Sequence, residues 1–289
     1  MQTVWSYEVC CTQTQKDKEV KQFAPEYPRN EQGWILFPTD QKDRKSLFFP
    51  EEVFKHPAKM NFHLQQAIIE YVANDGDILM DIFGGTGTLM IAAIQGYTVV
   101  LVEVEDGYHT LQMRTREELN RQIPGAGDKV ILIHGDNRLK LPIPCNHIIT
   151  SPPYAQAMNI SRVRTKREDA PDDWLVQQDQ RMMEYSKSPR NISKLNPFLY
   201  NMEMRKVYTL CYQSLPIGGT MTTVIKDRID KGERVYLSKW ANQVCTAVGF
   251  ELELWEKWKA PGHGFTKIAQ SQGKEVVEDE DILVYRRMK

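Results

Sequence analysis

Short apolar runs alternate with helix-like segments through the first half of the chain, and this alternation limits the fold more than any other feature. The runs that predict strands span residues 78–83, 98–104, 130–134 and 147–150. The segments that predict helices before or between them span residues 61–73, 88–95 and 107–121. Strands and helices that alternate at this length form parallel sheets covered by helices on both faces. We therefore predict an α/β fold with a mostly parallel, doubly wound sheet.

The second half of the chain predicts further elements of the same sheet. Helical spacing predicts helices over residues 204–215 and 240–248. Apolar or alternating runs predict strands over residues 220–226, 250–258 and 282–285. Near the start of the chain, the apolar segment from Gly33 to Pro38 is expected to pack on the core.

A proline-containing turn, Ser151-Pro152-Pro153-Tyr154, follows the strand predicted at residues 147–150. Proline fixes φ, lacks a backbone N–H, and moves the preceding residue away from the helical conformation. The chain therefore leaves the strand as a stiff turn, with a hydroxyl at one end and an aromatic ring at the other. Because ligands bind at the carboxyl ends of strands in such sheets, this turn is a candidate functional site.

A glycine-rich turn follows the first predicted strand and runs from Gly84 to Thr88. Glycines let the backbone approach a ligand closely, and the start of the next helix offers free N–H groups. The turn is not a dinucleotide fingerprint, because Met90 stands where a third glycine belongs, and it is not a P-loop, because no Gly-Lys-Ser/Thr follows. Glu103 lies at the end of the second predicted strand and Asp136 follows the third, so both should share an edge of the sheet with the two turns.

Together the two turns resemble the motifs of amino-group DNA methyltransferases, the cytosine-N4 and adenine-N6 family that uses S-adenosylmethionine (SAM). The family's glycine motif usually reads Asp-Pro-Phe-x-Gly-Ser/Thr-Gly-Thr, and Asp81 to Thr88 matches it except at Ile82. The family's catalytic motif, Asp/Asn/Ser-Pro-Pro-Tyr/Phe, is matched by Ser151 to Tyr154. The segment His56-Pro57-Ala58-Lys59 resembles one that lies beside the methionine part of SAM. The resemblance covers roughly residues 50–155 well and the C-terminal third by pattern only.

The resemblance implies a seven-stranded, Rossmann-like methyltransferase sheet completed by an antiparallel C-terminal hairpin. It implies Glu103 at the ribose hydroxyls of SAM, with Glu105 and Asp106 as nearby rivals, and Asp136 near the adenine amino group. The full set implied to bind SAM is His56, Pro57, Ala58, Lys59, Asp81, Phe83, Gly84, Gly85, Thr86, Gly87, Thr88, Glu103 and Asp136. The residues implied to be catalytic are Ser151, Pro152, Pro153 and Tyr154.

Four regions follow from these assignments. Residues 1–50 form an N-terminal arm, 51–154 the SAM-binding and catalytic core, 155–203 an insertion, and 204–289 the remainder of the core. The insertion departs from the core pattern and is polar. It carries four cations that we expect to contact DNA phosphates: Arg162, Arg164, Lys166 and Arg167.

Composition restricts partners and compartment. The net charge of −1 means that DNA binding must depend on a local basic surface. The five cysteines include no Cys-x-x-Cys pair, which favours reduced thiols and predicts no zinc or other metal site. The chain shows neither a signal peptide nor an apolar run near 18 residues, so we predict a cytoplasmic enzyme, prokaryotic or phage-encoded, without membrane contact.

Serine at the first position of the catalytic motif is more typical of the cytosine-N4 enzymes, so N4 of a flipped-out cytosine is the expected target. Adenine N6 is the alternative, and both RNA base methylation and a non-catalytic SAM-binding role stay open. Methylation at cytosine carbon 5 would require Cys145 as nucleophile, but this residue precedes its strand and should lie at the wrong end of the sheet. A homodimer and a cognate restriction enzyme also stay open as partners.

Overall fold

The computed structural model of the chain describes residues 21–54, 59–153, 188–230, 232–260 and 271–289. Its central element is a seven-stranded sheet in the order β3-β2-β1-β4-β5-β9-β8, beside a separate two-stranded hairpin, β6-β7. The strands are β1 (Ile78–Asp81), β2 (Thr98–Glu103), β3 (Val130–His134), β4 (His147–Thr150), β5 (Thr220–Ile225), β6 (Arg228–Asp230), β7 (Glu233–Val235), β8 (Phe250–Lys259) and β9 (Asp279–Arg287).

Strands β1 to β5 run parallel, and β9 lies between β5 and β8, antiparallel to both. In the centre, Met80 of β1 is in register with Val100 of β2 and Ile148 of β4. This arrangement confirms the expected fold class, including the antiparallel strands at the C-terminus.

The helices connect the strands and cover the sheet. They are α1 (Gln41–Lys45), α2 (Glu51–Phe54), α3 (Phe62–Val72), α4 (Ile91–Ile94), α5 (Asp106–Gln122), α6 (Asn137–Lys140), α7 (Pro197–Ser214) and α8 (Leu237–Val248). Short 3-10 turns span Thr88–Met90, Gly127–Lys129 and Ile192–Lys194. Among the described residues, no helix is both long enough and apolar enough to span a membrane.

Two hydrophobic cores lie on opposite faces of the sheet because side chains alternate along each strand. Leu79 of β1 faces the core that contains Leu64 and Ile68 of α3. The next residue, Met80, faces the core that contains Met204 of α7. The sheet is therefore doubly wound, as the apolar runs of the parallel strands predict.

The sequence predicted the packing of the N-terminal arm on the core, but it placed the start of α7 too late. Ile35 is fully buried, and its backbone N–H donates to the carbonyl of Lys257 at 2.8 Å, which confirms that this segment packs on the core. Helix α7 begins at Pro197, seven residues before the predicted start at Met204. Its cap explains the difference, since the side chain of Asn196 accepts from the N–H of Leu199 and proline occupies the first turn.

Candidate active site

The turn after β4 is fixed at two points. Ser151 is exposed, and its hydroxyl donates to the carbonyl of Val224 on β5 at 3.0 Å. Pro153 accepts at its carbonyl from the hydroxyl of Tyr200 on α7 at 2.7 Å. The hydroxyl hydrogen of Ser151 is used by Val224, so the lone pairs of its oxygen remain available to accept a hydrogen bond. Tyr154, predicted to stack on a base, lies outside the described residues.

Tyr200 is a site residue that the sequence analysis missed. It is buried on the first turns of α7, and its hydroxyl reaches the carbonyl of Pro153, inside the predicted catalytic motif. The omission followed from starting the helix at Met204, which left Tyr200 in the insertion. The pair Asn196-Pro197 is a helix start signal that would have placed this tyrosine on a helix.

Asp81 joins the two turns. Its Oδ1 atom accepts from the hydroxyl of Thr150, at the end of β4, at 2.7 Å, and from the N–H of Phe83 at 2.9 Å. Burial raises the pKa of Asp81 to about 6, although both hydrogen bonds oppose the shift. The carboxyl group thus links the strand before the glycine turn to the strand before the proline turn.

The glycine turn requires glycine for conformation and for space. Gly87 has φ +81°, a left-handed conformation that other residues rarely adopt. A Cβ atom on Gly84 would lie 2.8 Å from the side-chain amide nitrogen of Gln112. This buried glutamine donates to the carbonyl of Gly85 at 2.8 Å, so it supports the turn from beneath. This contact of Gln112 with the glycine turn was not predicted from the sequence.

Glu103 lies against the glycine turn. Its Oε2 atom accepts from the N–H of Gly85 at 2.7 Å, and its Oε1 atom accepts from the N–H of Glu105 at 2.8 Å. The side chain is almost fully buried, and burial raises the pKa of Glu103 to about 7. A buried carboxylate held at the end of β2 can accept further hydrogen bonds from ligand hydroxyls.

Glu105 and Asp106, the two alternative candidates for the ribose hydroxyls, have different surroundings from Glu103. Glu105 is buried, and its carboxylate accepts from the N–H of Ser188 at 2.8 Å and from the amide of Asn191 at 2.7 Å. Asp106 is exposed and pairs with His134 at 3.0 Å. Glu103 is thus the acidic residue of the three that contacts the glycine turn.

Asp136 follows β3 and caps α6, but its carboxylate already has a strong partner. Arg138 donates to Oδ1 at 2.9 Å and to Oδ2 at 2.6 Å, and also pairs with Glu203 at 2.9 Å. Burial opposes ionisation, yet the bonds from Arg138 hold the pKa of Asp136 below its usual value. An adenine amino group could bind Asp136 only through the remaining lone pairs of its carboxylate.

Arg44 of the N-terminal arm contacts the glycine turn, a role that the sequence analysis did not assign. Its guanidinium is buried and donates to the hydroxyl of Thr88 at 2.9 Å and to the carbonyl of Met60 at 2.9 Å, and it pairs with Asp40. Burial and the nearby charge of Arg44 lower the pKa of Lys59. His56, Pro57 and Ala58 lie outside the described residues.

The parallel strands bring most of the predicted site residues to one edge. Strands β3, β2, β1 and β4 are successive neighbours, and Asp136, Glu103, Asp81 and Ser151 stand at or just after their carboxyl ends. Cys145 instead precedes β4, is buried, and has a pKa raised to about 12 by burial. It therefore lacks both the position and the ionisation of a nucleophile.

Among the described ranges, no group of three or more His, Cys, Asp or Glu side chains could hold a metal ion. The four predicted DNA contacts, Arg162, Arg164, Lys166 and Arg167, lie outside these ranges.

A seven-stranded sheet of this order, with a parallel core and antiparallel C-terminal strands, is the Rossmann-like methyltransferase fold. Residues 3–114, less than half of the chain, match the family model N6_N4_Mtase, described as DNA methylase. This match confirms the family resemblance that the motifs indicated. No curated protein matches the chain in sequence.

Several solved structures are similar to the chain at low sequence identity. TrmN from Thermus thermophilus is 13% identical with a TM-score of 0.46, covering 82% of this chain but only 52% of its own, so the chain spans about half of TrmN. A SAM-dependent methyltransferase from Methanosarcina mazei is 10% identical with a TM-score of 0.47, covering 76% of this chain and 97% of its own. A methyltransferase from Pyrococcus furiosus is 12% identical with a TM-score of 0.47, covering 86% and 95%.

Proposed function

We propose that the chain transfers a methyl group from SAM to the exocyclic amino group of a base in DNA, with cytosine N4 as the expected target. The observation that carries the proposal is the orientation of Ser151. Because its hydroxyl donates to the carbonyl of Val224, its oxygen is left as an acceptor beside the edge that carries Glu103 and the glycine turn. The family match at residues 3–114 supports the same reaction.

The residues around the glycine turn fit SAM. Glu103 offers a buried carboxylate for the ribose hydroxyls, and Gly84, Gly85 and Gly87 offer backbone without side chains for the methionine end. Lys59 and the segment from His56 to Ala58 are assigned to the methionine part through the family motif. SAM supplies an electrophilic methyl group on a cationic sulfur, and the remaining contributions come from the protein.

The target nitrogen needs activation because its lone pair is delocalised into the base. Two acceptors placed on the amino hydrogens draw this nitrogen toward tetrahedral geometry and hold it in position. The Ser151 hydroxyl oxygen and the Pro152 carbonyl are assigned this role, with Tyr154 stacking on a base extruded from the duplex. The stiffness of the two prolines and the bond from Tyr200 to Pro153 support positioning, which supplies much of the rate gain in such reactions.

DNA is the proposed substrate, and the basic residues Arg162, Arg164, Lys166 and Arg167 are proposed to contact its phosphates. The family's DNA methylase description supports DNA over RNA. The same description leaves adenine N6 as the second candidate, since it does not separate the two amino groups. A cytoplasmic location is a prediction from the sequence that accompanies this proposal, and a cognate restriction enzyme stays open as a partner.

A methyl-transfer assay with labelled SAM tests the proposal. The full chain is incubated with duplex DNA, with RNA, or without nucleic acid, and the modified DNA is digested and analysed by mass spectrometry. N4-methylcytosine is expected, and N6-methyladenine would select the second candidate. Label in RNA alone, or in none of the three samples, would contradict the proposal. Tyr154→Ala is expected to abolish most of the transfer while SAM still binds.

A further inference from the structure

The hairpin β6-β7 leaves the sheet beside the proposed catalytic turn. Strand β5 ends at Ile225, and β6 begins three residues later at Arg228. The carbonyl of Val224, next to the end of β5, accepts the hydroxyl of Ser151 at 3.0 Å. The hairpin and the first turn of α8 therefore lie at the edge of the sheet where the proposed reaction takes place.

A buried network of charges fixes this hairpin. Asp227 accepts from Arg234 of β7 at 2.9 Å and from the hydroxyl of Ser238 on α8 at 3.1 Å. Arg234 also donates to Asp279 of β9 at 2.7 Å. Both carboxylates are buried, so breaking these pairs would be costly. The hairpin is thus held rigidly against the sheet and can present side chains at fixed positions.

Two exposed side chains, Tyr236 and Lys239, and the partly exposed Arg228 form what we term the hairpin patch. The ring of Tyr236 is 48% exposed, and the ammonium of Lys239 lies 3.8 Å from its centroid. Arg228 pairs in register with Val235, the residue before Tyr236, and its side chain is 38% exposed. The guanidinium of Arg234 also lies over this ring, 5.5 Å from its centroid, so two cations contact the ring and Arg228 adds a third cation on the neighbouring strand. Such a basic surface suits nucleic acid, because phosphates bind the cations.

We infer that the hairpin patch contacts the DNA backbone beside the base that enters the proposed active site. The inference rests on the proposed function and adds DNA-binding residues that lie outside the insertion in the sequence. Asp230 lies 3.7 Å from Arg228, but water reaches both side chains, and ion pairs in contact with water are weak. Arg228 is therefore free to exchange this partner for a phosphate.

The test measures duplex DNA binding by fluorescence anisotropy across a series of salt concentrations. The double variant Arg228→Ala/Lys239→Ala is compared with the wild type and with Lys129→Ala, a control that removes an exposed cation just before β3, at the opposite edge of the sheet. Losing two phosphate contacts should reduce the slope of log affinity against log salt by about 1.8. The slope of Lys129→Ala should equal that of the wild type. The variant Arg228→Lys/Lys239→Arg keeps both positive charges, so its slope should also equal that of the wild type.

Thermal unfolding shows whether the double variant is folded. If it is not, the single variants Arg228→Ala and Lys239→Ala give a second measurement, each with an expected fall in slope of about 0.9. An unchanged slope in a folded double variant, while the wild type binds and methylates DNA, overturns the inference alone. A wild type that binds no duplex DNA overturns the inference together with the proposed function. A fall in slope as large for Lys129→Ala as for the double variant also overturns it, because the effect would then reflect total charge.

Discussion

The hydroxyl of Tyr200 donates to the carbonyl of Pro153 at 2.7 Å, and this bond connects α7 to the proline turn. Pro153 has no backbone N–H, so its carbonyl is the one backbone group through which a neighbour can hold it. On the other side, the hydroxyl of Ser151 is bonded to β5. The turn is therefore fixed between a helix and a strand, and we regard Tyr200 as a positioning residue.

Tyr200→Phe should slow methyl transfer while leaving SAM affinity unchanged. The substitution removes one neutral hydrogen bond worth about 1 kcal/mol and keeps the ring, so turnover should fall about fivefold. Steady-state kinetics and calorimetric SAM titration check both parts. A loss of SAM affinity equal to the loss of turnover would indicate that Tyr200 supports the general fold instead.

Glu103→Ala should weaken SAM binding about tenfold or more. The carboxylate is assigned to two ribose hydroxyls, and charge-assisted hydrogen bonds contribute about 1.5–3 kcal/mol each before compensation by water. Asp106→Ala, which removes an exposed carboxylate three residues away, is the matched control and should bind SAM as the wild type does. Equal affinity of Glu103→Ala and the wild type by calorimetry would exclude the assignment.

The raised pKa of Glu103 predicts a pH dependence of stability without SAM. A carboxyl group whose pKa rises from 4.5 in the unfolded chain to about 7 in the fold stabilises the protein below pH 4.5, and this contribution is lost as pH rises through 7. Relative to Glu103→Gln, which cannot ionise, the wild type should lose about 2.5 kcal/mol of unfolding free energy between pH 5 and pH 8. Urea denaturation at both pH values measures the difference, and a constant difference would contradict the prediction.

Much of the sheet could be predicted because its parallel strands read as uninterrupted apolar runs, and central strands such as β4 and β5 are buried on both faces. Strands β3 and β4 begin and end at the predicted residues. The proline and glycine turns could also be predicted, since proline and glycine fix the backbone through their own covalent structure. These turns then fall at the carboxyl ends of adjacent strands as a consequence of the parallel order.

The supporting contacts of the site could not be predicted in the same way. Arg44 lies 44 residues before Thr88 in the chain, and Tyr200 lies 47 residues after Pro153. Such pairs depend on tertiary packing, for which a single sequence has no periodic signal. The hairpin β6-β7 was missed because its strands have three residues each and carry several charges, so they show no apolar run.

Arg44→Ala should destabilise the protein more than any loss of an exposed cation on the same helix. The substitution leaves Asp40 and the hydroxyl of Thr88 without their buried partner, and breaking a buried ion pair costs about 3 kcal/mol or more. Lys42→Ala, on an exposed position of α1, should change the unfolding free energy by less than about 0.5 kcal/mol. Urea denaturation of the two variants tests this, and similar values would show that Arg44 contributes no more than a surface charge.

Ser151→Ala should separate chemistry from cofactor binding. The Ser151 hydroxyl is bonded to β5 and is assigned to the amino group of the base, whereas SAM is assigned to the glycine turn and Glu103. Removing one positioned acceptor should lower methyl transfer about a hundredfold or more, with SAM affinity within about twofold of the wild type. Ser46→Ala, an exposed hydroxyl after α1, serves as control and should retain full activity. Transfer at the wild-type rate in Ser151→Ala would remove this hydroxyl from the mechanism and leave the Pro152 carbonyl as the acceptor that activates the amine.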